Sequence, residues 1–247
     1  GISPDQSEGA EERAYYPTSV SRDLFNASCL LPYGLTADQL FHAMTDFVDF
    51  LGFVNRQLRG KQFPRLEMFL MPASFSSLVG EFMNITIPKY CIGLAKNQYH
   101  NGHPDLLPAS LFPNNAIQYA HDGIEVKASR HSSGWQGHNP ESVWLMVFHF
   151  DSTSANDLSK GIAPKPFRFK GVYGAHLKNE DWAFSGRSST SRRTITASVN
   201  RAGCAKGRTR RVGDRALGTA CNRVVGCAGG RRRTEAFICS ACLGRDP

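Results

Sequence analysis

The chain has 247 residues, 41% hydrophobic and 20% charged, enough for a packed core in one large domain or one domain with an appendage. No run reaches the roughly 18–20 apolar residues that span a bilayer, and residues 1–13 are polar and acidic, without the basic and apolar regions of a signal peptide; a cytoplasmic protein is the expectation. The formal net charge of +8 is local: from Asn200 onward there are eleven bases and three acids, while residues 1–199 balance eighteen bases against eighteen acids. The basic character is therefore no sign that the body binds nucleic acid; only local patches can carry that reading.

Residues 1–22 read as a polar, mobile leader. The first strong element is a helix. Thr36 caps it and Gln39 completes a capping box. Leu40, Met44, Phe47, Val48, Leu51, Val54 and Leu58 recur at spacings of three and four as one apolar face, and Gly60 ends it. A second helix is predicted over residues 73–84, burying Phe75, Leu78, Val79 and Phe82 and carrying Glu81.

After Pro88 the pattern changes to short strands. Residues 90–94 form one candidate. Residues 116–119 and 124–128 flank Asp122-Gly123, a hairpin turn or bulge. Residues 142–150 are the strongest strand, 167–176 alternate well enough for another, and 193–199 are a weaker one. Helices followed by a strand-rich half imply an α/β (α+β) fold around a mixed central sheet, with residues 23–199 as its domain.

From Asn200 the composition shifts abruptly to Arg, Gly, Ala and Cys, with Phe237 the sole aromatic of residues 200–247. Three readings stay open for this tail. Translation of GC-rich DNA out of frame leads, which would make it no evolved segment. A disordered basic arm on the DNA backbone follows. Third is zinc held by Cys221, Cys227, Cys239 and Cys242. Cys204 is the fifth cysteine of the tail, Cys29 and Cys91 lie in the body, and an intracellular setting argues against a disulfide framework.

The chemistry concentrates between His103 and Glu141. Pro104-Asp105 is followed by nineteen residues and then Glu125-Val126-Lys127. On a strand Glu125 and Lys127 share one face while Ile124 and Val126 enter the core. Asp105 can reach the same edge from a neighbouring strand. Two carboxylates and an ammonium suit phosphodiester hydrolysis: Asp105, Glu125 and the Val126 carbonyl are hard oxygen donors for Mg²⁺, and Lys127 can orient water or offset phosphoryl charge. Chance alone supplies roughly one acid-x-Lys triplet in such a chain, so the triplet gains weight only from its apolar strand and the upstream Pro-Asp. Asp122 is an alternative upstream carboxylate, though its place in the turn suits it better to that role.

This arrangement resembles the PD-(D/E)xK nuclease superfamily, over about residues 68–180. The resemblance implies a restriction-endonuclease-like core, Mg²⁺ (or Mn²⁺) catalysis and double-stranded DNA as substrate, with a homodimer admissible. It also implies a helix acid, for which Glu81 is the match, and an extra polar residue near the metal, for which Gln136 is the match. A polar loop from Ser129 to Glu141, with Arg130, His131, Trp135, His138 and Asn139, would face DNA. A basic cluster of Lys165, Arg168, Lys170, Lys178, Arg187, Arg192 and Arg193 would hold phosphates. An HNH-type or zinc site from His100, His103 or His138 lacks a second ligand pair of matching spacing. Asn84-Ile85-Thr86 and Asn26-Ala27-Ser28 match glycosylation sequons by coincidence. The rival to a type II restriction enzyme is a catalytically silent DNA-binding scaffold with the nuclease fold.

Overall fold

The structure is a computed structural model that describes residues 4–22, 25, 30–133, 135–137, 142–184, 197–202 and 236–239, the backbone alone at 4–7, 136–137, 184 and 236–239. The leader, expected to be polar and mobile, is folded against the body. It forms helix α1 (Pro4–Ala14), with Ala14 fully buried. The segment is docked by polar contacts: Glu11 accepts from the buried Arg65 at 2.8 Å, Tyr15 Oη donates to the Phe63 carbonyl at 2.9 Å, and the Thr18 N–H donates to Phe167 O at 2.8 Å.

Helix α2 (Ala37–Gly60) starts at Thr36 with both halves of the capping box formed, so two otherwise unpaired N–H groups are satisfied. Its buried stripe is Leu40, Ala43, Met44, Phe47, Val48 and Leu51. After the short α3 (Leu66–Phe69), helix α4 (Pro72–Tyr90) opens with proline at its first position, where no N–H is needed. It runs six residues past the end expected at 84, straight through Pro88. A proline there removes only the bond to the Asn84 carbonyl, and the Cys91 N–H closes the last turn on Ile87 O at 2.9 Å.

The strand expected at 90–94 is displaced to β1 (Leu94–Lys96) because α4 occupies its place. It leads a mixed sheet with β2 (Leu106–Pro108), β3 (Ile124–Ser129), β5 (Trp144–Asp151) and β6 (Arg168–His176), in the order β1-β2-β3-β5-β6. Only β3 and β5 run parallel. A small antiparallel sheet of β4 (Gln136–Gly137), β8 (Ala197–Val199) and β7 (Trp182–Phe184) lies apart from it. The tail adds β9 (Ala236–Cys239), antiparallel to β6, so these four residues join the sheet; the rest of the segment from 203 on, with Cys204, Cys221, Cys227 and Cys242, lies outside the described residues.

The hairpin expected around Asp122-Gly123 does not form. Residues 116–120 run beside His103 instead, with His103 N–H donating to Gln118 O at 2.9 Å and Ala120 N–H to His103 O at 2.8 Å. Strand β3 pairs with β2, through Leu106 opposite Ile124. Gly123 makes this approach feasible: its φ is +138°, and a Cβ there would sit 2.2 Å from Leu106 O.

Strand β5 is buried on both faces, which explains its nearly unbroken apolar run. Met146, Phe148 and Phe150 meet α2 and α4 in the main core, with Phe47, Phe75, Phe167 and Phe169 in edge-on and tilted ring contacts. Each such ring contributes roughly 1.5–3 kcal/mol of burial. On the other face Leu145 and Val147 meet Trp135 and, from the small sheet, Trp182, Ala197 and Val199. Trp135, expected to face DNA, is a core residue whose Nε1–H donates to His131 O at 3.0 Å. No helix among the described residues is long and apolar enough to cross a membrane.

Candidate active site

The β2–β3 register explains why Asp105 and Glu125 meet. Leu106 faces Ile124 in an antiparallel pair, so one residue further on Asp105 comes opposite Glu125. Asp105 then ties itself to β3: its Oδ2 accepts from the Val126 N–H at 2.9 Å. Ile124 and Val126 turn into the main core, which sends Glu125 and Lys127 to the other side of the strand.

Glu125 is only 2% exposed. Lys127 Nζ donates to its Oε1, and His103 Nδ1 lies 3.2 Å from its Oε2. Burial pushes the Glu125 carboxyl up, but the His103 hydrogen bond and the Lys127 charge outweigh it and hold the group ionised at about 2. Asp105 goes the other way. Burial and then the Glu125 charge push it up to about 7, against weaker pulls from Lys127 and the Val126 N–H. Like charges across a strand pair are destabilising in an ordinary sheet, and strongly shifted carboxyls in a hollow mark candidate functional sites.

The two carboxylates open into a cavity of about 780 Å³, walled by the loop from Asn97 to His103. Asn97 braces that loop: its amide donates to Pro104 O at 3.0 Å and Ile117 O at 2.9 Å and accepts from Tyr99 N–H at 3.0 Å. A smaller hollow of about 180 Å³ adjoins along α4. Glu81, Asn84, Asp105 and Lys127 line both.

A divalent cation fits this donor set. Glu125 is buried and Asp105 half-buried opposite it, and a +2 charge beside them would offset the Glu125 repulsion that, after burial, raises Asp105. Mg²⁺ is commonly held by one or two carboxylates plus substrate phosphate oxygens. Among the described residues no group of three or more His, Cys, Asp or Glu is arranged to hold a metal, so a cation bound here would need further oxygen donors from outside that set.

The other expected site residues are placed differently. Glu81 lines the cavity, but its side chain is 60% exposed and pairs with Lys96 Nζ at 3.0 Å. Asp122 is exposed at its turn and lines neither hollow, whereas Asp105 lines both. Gln136 contributes its backbone to β4, opposite Ser198; its side chain is outside the described residues. Arg130 is not offered freely to a ligand: Nη2 donates to Asp157 at 2.6 Å and Nη1 to Ser154 Oγ at 3.2 Å. Lys170 is half-buried on β6, Lys165 is exposed, and Arg168 lies 3.6 Å from Asp151. Arg187, Arg192, Arg193, His138 and Asn139 lie outside the described residues.

Two residues at the site were not assigned to it from the sequence. His103 was weighed only as a zinc or HNH ligand; its position just before Pro104-Asp105 was the available signal. Asn84 showed only as the end of the second predicted helix and as part of a sequon, yet it is 3% exposed and inaccessible to a glycan; its spacing of three from Glu81 was the signal. No protein-family model matches the chain, and neither a curated protein nor a solved structure matches it.

Proposed function

We propose that the chain is a Mg²⁺-dependent DNA endonuclease of the PD-(D/E)xK kind, most like a type II restriction enzyme with a restriction-endonuclease-like core. The observation that carries the reading is the meeting of Asp105 with Glu125 and Lys127 across the β2–β3 pair, at the wall of a polar cavity. Double-stranded DNA as the substrate rests on the resemblance of Pro104-Asp105 and Glu125-Val126-Lys127 to that family.

Asp105 and Glu125 would hold the cation together with the Val126 carbonyl, and Mn²⁺ can replace Mg²⁺. When bound, Mg²⁺ supplies Lewis acidity at the phosphate. The hydrogen bond from the Val126 N–H fixes Asp105, so the carboxylate is oriented before any ligand arrives. Lys127 stands beside Glu125, where its ammonium can orient the attacking water and offset charge building on the phosphoryl oxygens.

The test is nicking of supercoiled plasmid with Mg²⁺, with and without EDTA. The chain should cut only with the metal, and Lys127→Ala should lower the rate on the order of 100-fold or more while DNA affinity stays within a few-fold. Cleavage by Lys127→Ala at the parental rate would remove Lys127 from the site. DNA bound but never cut by the parent chain would give the silent scaffold instead.

A further inference from the structure

We propose that Asn84 is the oxygen donor that helix α4 brings to the cation site, in the place where Glu81 was expected. The inference rests on the metal-dependent reading above and adds a ligand to it. Asn84 is 3% exposed, and its Oδ1 is fully buried with no hydrogen-bond partner among the described residues. An unsatisfied buried amide oxygen costs about 1–3 kcal/mol, and few are kept without a use. An apolar side chain would serve the helix packing better.

Its surroundings say what that use is. Asn84 lines both hollows of the site together with Asp105 and Lys127. Glu81 sits one turn earlier on α4, but it is largely exposed and claimed by Lys96. Of the two, Asn84 is the one that is buried. Gly80, on the same stretch of helix, leaves the smaller hollow open: a Cβ there would meet nothing within 4 Å. An amide oxygen is also the right chemistry for a third donor. Asn carbonyls are ordinary ligands of hard cations, and a neutral one adds a ligand without a third negative charge beside Asp105 and Glu125.

The experiment is calorimetric titration of the full chain with MnCl₂, alongside melting with and without Mn²⁺, for the parent, Asn84→Leu, Asn84→Asp and Asp105→Asn. Asn84→Leu should bind Mn²⁺ about 10- to 100-fold more weakly, melt no lower than the parent without metal, and lose most of the Mn²⁺-induced rise in Tm. Asn84→Asp should bind at least as tightly as the parent, and Asp105→Asn should lose binding. If Asn84→Leu fails to fold, Asn84→Ala carries the same comparison. Parental affinity in the folded Asn84 variant, with binding lost in Asp105→Asn, overturns the role of Asn84 and leaves the metal site standing. A parent chain that binds no Mn²⁺ overturns both.

Discussion

Asp157 shows how one carboxylate can anchor the ground behind the proposed site. It stands in α5 (Ala155–Ser159), and its Oδ2 accepts from the Ser154 N–H and Oγ–H, both at 2.8 Å, and from Arg130 at 2.6 Å. Arg130 directly follows β3, so this cluster clamps the end of the strand that bears Glu125 and Lys127. Burial works to raise the Asp157 carboxyl, but the Ser154 and Arg130 hydrogen bonds prevail and hold it below the usual carboxylate range. A carboxyl lowered in the folded state adds stability above its unfolded value of about 3.9, and that stability is lost as pH falls through the folded value. Asp157→Asn should therefore cost about 1–2 kcal/mol at pH 7, and the gap to the parent should close as the pH is taken from 4 towards 2 in urea unfolding. A gap that stays constant with pH would mean that the shape of Asp157, not its charge, is what matters.

Among the elements, those with strong local signals were legible. Helix α2 could be read from Thr36, Gln39 and a regular apolar stripe, and β5 from a run buried on both faces. The alternation that sends Glu125 away from Ile124 and Val126 needs nothing beyond the strand itself. Helix α1 was illegible because it buries little apolar surface: what fixes it is Glu11 on Arg65, a contact across 54 residues that no periodicity encodes. Arg65 is fully buried and shared between Glu11 and Glu67. Removing one partner of a buried charge leaves it undercompensated. Glu11→Ala should cost about 1–3 kcal/mol and lower Tm by several degrees in a thermal melt; an unchanged Tm would return residues 1–22 to the status of a loose leader. The Asp122-Gly123 hairpin was misread for a related reason. The turn residues fit, but β3 chose β2 as its partner, a choice that depends on the space Gly123 leaves for Leu106 O.

At the scale of the molecule, α2 and α4 cover one face of the mixed sheet and the β4-β8-β7 sheet the other. The site sits where α4 and the β2–β3 pair approach each other, which is why it draws Asn84, Asp105 and Glu125 from segments far apart in sequence. The motif residues were visible in the chain, whereas the buried Asn84 of α4 and the Asn97 brace emerge only when the layers are assembled. Residues 1–199 carry no net charge, so on the proposed reading the metal centre, rather than net charge, would fix where a phosphate sits. A crystal structure of the chain with a DNA duplex and Ca²⁺, a hard cation that takes carboxylate and phosphate oxygens as its ligands, tests this most directly. The account predicts Ca²⁺ at about 2.3–2.6 Å from carboxylate oxygens of Asp105 and Glu125, with a backbone phosphate in the cavity beside Lys127. DNA or Ca²⁺ bound elsewhere, with the Asp105–Glu125 pair untouched, would contradict it.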